Sequence, residues 1–260
     1  MNLDITPFVS GRLEAFLLLF VRLSAVLMTV PVFSLRAVPF RVRIFLGLAL
    51  AFTLLPLVPP TPALHGASAV TLLVMIANEA LLGVLIGFVA SAMVFAVQIG
   101  GELLGLQIGY GIGSIVDPRT ESQSVVTTEF FYMLFVLVFL TMNGHHLLLR
   151  AAVATLDRAP LGEFRLTPAM IDMLAHSMSE IFAVALRVGA PVMAFLFISS
   201  VALGIISRTM PQMNVFVVGF PIKIIGGLAV LLITIPGLRV AFEELTTRIG
   251  SDLAGFVRLL

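Results

Sequence analysis

Cysteine is absent from the 260 residues, and lysine occurs once, at Lys223. Without cysteine there is no disulfide, no thiol nucleophile and no thiolate-ligated metal. Charge of either sign is scarce: Asp, Glu, Lys and Arg make up 11% of the chain, against about 25% in globular proteins. That shortage leaves too few polar side chains to cover a water-facing surface. A formal net charge of +1 gives no reason to expect nucleic acid or an acidic substrate.

What is present is apolar. Hydrophobic residues make up 60% of the chain, and the mean hydropathy is +1.14. The expected class is an all-α integral membrane protein. A spanning helix needs about 20 mainly apolar residues, and about six stretches meet or approach that length: Leu13–Val32, Val42–Val58, Ser68–Ile99, Phe130–Leu149, Ile181–Ile206 and Val215–Ile235. The first is longer than the roughly 7–15 apolar residues of a signal-peptide core, so it is expected to be a span rather than a cleaved leader. Arg239–Leu260 has a helix-like pattern and need not span.

Pro191, Pro221 and the pair Gly226-Gly227 lie inside the last two stretches. Proline removes a backbone hydrogen bond and kinks a helix. Such breaks are tolerated at membrane depth where protein or a water-filled cavity satisfies the freed groups. These segments therefore read as kinked members of a packed assembly. Arg36, Arg41 and Arg43 sit in the first loop, and Arg150, Arg158 and Arg165 fall on what a six-span scheme makes the opposite side. The positive-inside rule thus selects no single orientation.

Glu14, Arg22, Glu79, Arg187 and Lys223 lie within apolar runs. A charge at the bilayer centre costs about 2.5–3.5 kcal/mol on insertion scales, so each is expected to meet a partner or water. Glu14 and Arg22 stand roughly 12 Å apart along one helix and need partners on other helices or chains. Arg187 or Lys223 is the expected partner of Glu79. The favoured role is ion pairing within an assembly; a proton or ion relay, as in a secondary transporter using Glu79 or Lys223, is the alternative.

Between two long apolar stretches lies Gln98–Val126, with glycines at 100, 101, 105, 109, 111 and 113 before Asp117-Pro118. It reads as a loop that faces or blocks a pore. Gly109-Tyr110-Gly111 matches the core of a potassium filter; Gln107-Ile108 replaces the usual Thr-Val lead-in, and Gln98–Leu106 would have to serve as a short pore helix. The glycine spacing does not fit a dinucleotide fingerprint. His145 and His146 lack a nearby acid or cysteine and point to different sides of a helix, so a metal site is not expected. Ser114 lacks a nucleophile context. Nothing reads as an enzyme, and no cofactor is implied.

Two passages carry a resemblance. Met210-Pro211-Gln212-Met213-Asn214-Val215-Phe216-Val217-Val218-Gly219-Phe220-Pro221-Ile222-Lys223 resembles the most distinctive stretch of the FliR family of flagellar biosynthetic proteins, shared with injectisome counterparts. Gly101–Gln107 through Val116-Asp117-Pro118, followed by Leu140-Thr141-Met142-Asn143-Gly144-His145, is similar to the middle of the same family, and Arg22 and Pro31-x-Phe33 also fit. The likeness runs along essentially the whole chain. It implies a single export-gate domain over 1–260: N-terminal helices over 1–97, a plug-loop region over 98–126 and C-terminal helices over 127–260. It implies a non-enzymatic subunit of a type III export gate in the bacterial inner membrane, at the flagellar basal body. The gate is a helical assembly with FliP and FliQ, in contact with FlhB, and it conducts unfolded flagellar proteins.

The family's pore plug corresponds to Gly105–Val116. By that likeness Gly105, Gly109, Gly111 and Gly113 would let the loop move aside, while Tyr110, Ile112, Ile115 and Val116 fill the lumen. Tyr110 is the expected seal. The embedded charges Glu14, Arg22, Glu79, Arg187 and Lys223 would then meet protein in the assembly.

Overall fold

The computed structural model describes residues 6–30, 32, 39–58, 68–109, 126–212 and 214–260. Seven α-helices and no strand occur among the described residues: α1 (Thr6–Thr29), α2 (Phe40–Leu54, prolonged by a 3-10 turn at Leu55–Leu57), α3 (Ala69–Ile108), α4 (Val126–Thr141), α5 (Gly144–Arg158), α6 (Pro168–Thr209) and α7 (Val215–Leu259). Three helix starts carry local signals. Ser68 accepts from the Thr71 N–H at 3.2 Å ahead of α3, Pro168 occupies the first position of α6, where its missing N–H costs nothing, and the Asn214 carbonyl accepts from Val217 N–H at 3.1 Å.

The chain is an all-α integral membrane protein. Among the described residues four helices are long and apolar enough to cross a membrane: Phe40–Leu57, α3, α6, and α7 from Val217. α4 and α5 together would make a fifth if the broken pair is counted as one span. α1 is not among them, although Leu13–Val32 is expected to span, because its 24 residues include Arg12, Glu14 and Arg22.

Other boundaries also depart from expectation. α3 runs for 40 residues, a contour of roughly 60 Å, so Gln98–Ile108 is helix and not loop. Its glycines are weak helix formers, but Gly100 and Gly101 let other backbone come close. A Cβ at Gly101 would stand 2.7 Å from Thr128 Cα, and one at Gly100 would stand 3.0 Å from the Ala185 carbonyl oxygen. The single span expected over Phe130–Leu149 is broken at Met142-Asn143, where Asn143 takes the left-handed conformation (φ 57°, ψ 32°), one that asparagine tolerates unusually well. α6 and α7 outrun their apolar stretches, and α7 continues through both Pro221 and Pro236 to Leu259.

The chain forms two compact units. One comprises Met1–Ala92, Asn143–Ser177 and Arg248–Leu260; the other comprises Met93–Met142 and Met178–Thr247. In the first, Ala15, Leu18, Leu19 and Leu23 of α1 pack with Ala51, Met75, Ala152, Leu156 and Leu161. In the second, Phe242 of α7 meets Phe131 and Phe135 of α4 edge-on, at ring-centroid distances of 6.5 and 5.5 Å. T-shaped pairs of this kind add stability beyond their buried area.

Candidate functional site

In the second unit, α3 ends at the root of the glycine-rich stretch. The Gly109 N–H donates to the Gly105 carbonyl at 3.2 Å, and Gly109 has φ +102°. This backbone region is open to glycine and strained for other residues. The space beside it is occupied as well. A Cβ on Gly109 would stand 2.5 Å from Cε1 of Phe220. The last residue before the stretch thus rests on the most distinctive sequence of the chain, Met210–Lys223. Where the chain returns, Thr127 Oγ1 donates to the Gly101 carbonyl at 2.8 Å.

Of the expected plug residues, Gly105 is buried within α3 and Gly109 terminates it. Tyr110, Gly111, Ile112, Gly113, Ile115 and Val116 lie outside the described residues. A potassium filter requires a short pore helix ahead of Gly-Tyr-Gly. Here that segment is the end of a 40-residue helix.

In the first unit, the embedded charges meet differently from expectation. Glu79 is partnered by Arg22, not by Arg187 or Lys223. Arg22 Nε donates to Glu79 Oε2 at 2.5 Å and Nη2 to Oε1 at 3.0 Å, the bidentate fork that guanidinium and carboxylate favour. Arg22 Nη1 donates to Thr155 Oγ1 at 3.1 Å and Nη2 to the Ala159 carbonyl at 3.0 Å. Glu79 Oε1 also accepts the Gly162 N–H at 2.7 Å. Neither charged side chain is exposed. The node therefore ties α1, α3 and the turn after α5 together inside one chain. Gly162 has φ +83°, and a Cβ there would stand 2.9 Å from Met75 Cγ.

The register that brings the two charges together comes from α3. Glu79, Gly83, Gly87 and Ser91 recur every four residues and so share one face. A Cβ on Gly83 would run into the Arg22 carbonyl, and one on Gly87 would stand 2.5 Å from Thr29 Cβ. Ser91 Oγ donates to the Gly87 carbonyl at 2.5 Å and lies 3.2 Å from the Thr29 carbonyl. Small residues at this spacing allow membrane helices to approach backbone to backbone.

The other embedded charges are placed separately. Glu14 is half-buried, and its shielded Oε2 has no hydrogen-bond partner among the described residues. Arg187 is exposed on α6, and Lys223 is half-buried on α7. Beside the node, Asn78, Gly162, Glu163, Phe164 and Arg165 line a cavity of about 530 Å³. No group of three His, Cys, Asp or Glu residues suited to a metal occurs among the described residues. His145 and His146 do not diverge as expected. Both lie in the first turn of α5 with ring centroids 4.3 Å apart.

The sequence profile described as "Bacterial export proteins, family 1" matches residues 13–249. The chain belongs to this family. It is 38% identical over 215 residues to the flagellar biosynthetic protein FliR of Bacillus subtilis, covering 81% of this chain and 82% of the relative. It is 31% identical over 237 residues to FliR of Escherichia coli, covering 91% and 90%. It is 30% identical over 242 residues to FliR of Pectobacterium carotovorum, covering 93% and 92%. The matched range takes in every candidate residue, from Glu14 to Lys223.

Two residue sets are not anticipated from sequence. The ladder Gly83, Gly87 and Ser91 has a visible signal in its four-residue spacing, which lies within an otherwise uniform apolar run. Phe220 is visible only as part of a family motif. Its contact with Gly109 joins positions 111 residues apart and has no local signal.

Proposed function

We propose that the chain is a non-enzymatic subunit of the flagellar type III protein export gate. It assembles with FliP and FliQ and contacts FlhB in the bacterial inner membrane at the flagellar basal body. The stretch Gly105–Val116 plugs the pore through which unfolded flagellar proteins pass, with Tyr110 as the sealing side chain. Family membership over residues 13–249 supports the export role. The plug reading is carried by one observation: at Gly109 the chain leaves α3 in a glycine-specific conformation, with the Phe220 ring set against it. A positive φ of this kind is open to glycine and strained for other residues, which ties the start of the stretch to Gly109.

Glu14, Arg187 and Lys223 serve subunit packing. Arg22 and Glu79 already satisfy each other within the chain and do not carry a transported ion. Deleting Gly109–Gly113 should leave the complex assembled but leaky to ions and small solutes, as read by ion flux in cells or proteoliposomes. An intact seal after that deletion removes the plug assignment.

A further inference from the structure

Within α6, the buried side is formed by Ile181, Val184, Ala185, Val188, Val192 and Leu196. The opposite side carries Ala183, Arg187, Ala190 and Ala194, all exposed and spaced i, i+4, i+7 and i+11 along one line of the helix. Exposed Phe182, Leu186, Phe197 and Ile198 flank that line. Arg187 is the only charge in this exposed patch, and no described carboxylate pairs with it. The helix is one of those long and apolar enough to cross a membrane.

We propose that this line of α6 seats a membrane helix of a different subunit, and that this helix carries a carboxylate that pairs with Arg187. Three coverings are conceivable, and the surroundings separate them. Lipid tails offer no counter-charge to a guanidinium, which makes that placement costly. A water-filled lumen would be lined with polar groups, yet every exposed neighbour within a turn of Arg187 along the line is apolar. A protein helix satisfies both conditions. The alanines on either side of Arg187 let its backbone approach closely, and an acid on it forms the planar two-point pair for which arginine is suited.

The inference rests on the chain being one subunit of a hetero-oligomeric gate. It does not rest on the plug, whose failure would appear as an intact seal with assembly unchanged. The test uses the complete complex in native membranes. Arg187→Glu should lower the yield of assembled complex roughly tenfold or more, and Arg187→Lys should be much milder because it keeps the charge. Restoration of export in the Arg187→Glu background should arise from exchange of an acid for Lys or Arg in a membrane helix of another subunit.

Since the chain has no cysteine, Ala190→Cys introduces its sole thiol. That thiol should resist a water-soluble maleimide in the assembled complex. Labelling there assigns the face to water and overturns the proposal. Wild-type yield with Arg187→Glu overturns it too, as does rescue by charge reversal of an acidic residue of this same chain. If Arg187→Glu prevents the chain from accumulating, a photo-crosslinking residue in place of Ala190 decides: crosslinks to a membrane helix of another subunit support the proposal, and crosslinks to lipid alone overturn it.

Discussion

Arg22 and Glu79, 57 positions apart, hold each other through both carboxylate oxygens with no exposure of either side chain. Breaking such a pair from one side leaves an uncompensated buried charge, at a typical cost of about 3–5 kcal/mol. Arg22→Ala and Glu79→Ala should each destabilise by that order, measured by thermal unfolding of the detergent-extracted complex. Glu79→Gln should cost less than Glu79→Ala, since its amide oxygen can still accept the Gly162 N–H. The two alanine replacements should be strongly non-additive. Intact assembly with altered proton coupling in Glu79→Gln would overturn the structural role.

Gly109→Ala combines two penalties. A positive φ at a non-glycine residue costs about 1–3 kcal/mol, and the added Cβ meets the Phe220 ring. Adding Phe220→Ala should relieve the steric part and leave the backbone part. The double variant should therefore melt above Gly109→Ala once the cost of Phe220→Ala alone is subtracted. Simple additivity of the two substitutions would rule out the contact.

Glycines in the long helices should divide sharply. Gly83→Ala places a methyl on the Arg22 carbonyl, a backbone atom that cannot move aside, and should push α1 from α3 and disrupt the Arg22–Glu79 pair. Gly204→Ala and Gly237→Ala meet nothing within 4 Å and should gain up to about 1 kcal/mol from helix propensity. Equal melting temperatures for Gly83→Ala and Gly204→Ala would contradict the close approach.

Phe242 is fully buried between Phe131 and Phe135. Phe242→Ala removes the ring that joins α4 to α7 and should destabilise by about 3–5 kcal/mol. Phe242→Leu should lose less, since it keeps most of the volume. Unfolding of the extracted complex measures both.

The membrane class and most helix positions are legible in the sequence because apolar runs of this length have few other uses. Boundaries are less so. Gly100, Gly101 and Gly105 disfavour helix locally, yet α3 continues through all three, and at Gly100 and Gly101 close contacts with Ala185, Thr127 and Thr128 need residues without side chains. The break at Asn143 hides within a continuous apolar run, although Asn-Gly is a turn signal. The requirement that embedded charges find partners follows from composition. The choice of Arg22 for Glu79 depends on the register of two helices, and a search for pairs among Arg187 and Lys223 does not contain it.

The Arg22–Glu79 node also has a bearing on biogenesis. Ribosomes add about 5–20 residues per second, so the 57-residue gap separates synthesis of the two charges by roughly 3–11 s. Thr155 and Ala159, the other acceptors of Arg22, emerge later still. During that interval α1 carries an uncompensated guanidinium and is a poor candidate for early, independent insertion. Its partners are complete only once α3 and the α5 turn have been made, so its stable seating should await them. A truncated product ending before Glu79 would retain the lone charge and be a ready substrate for membrane proteolysis.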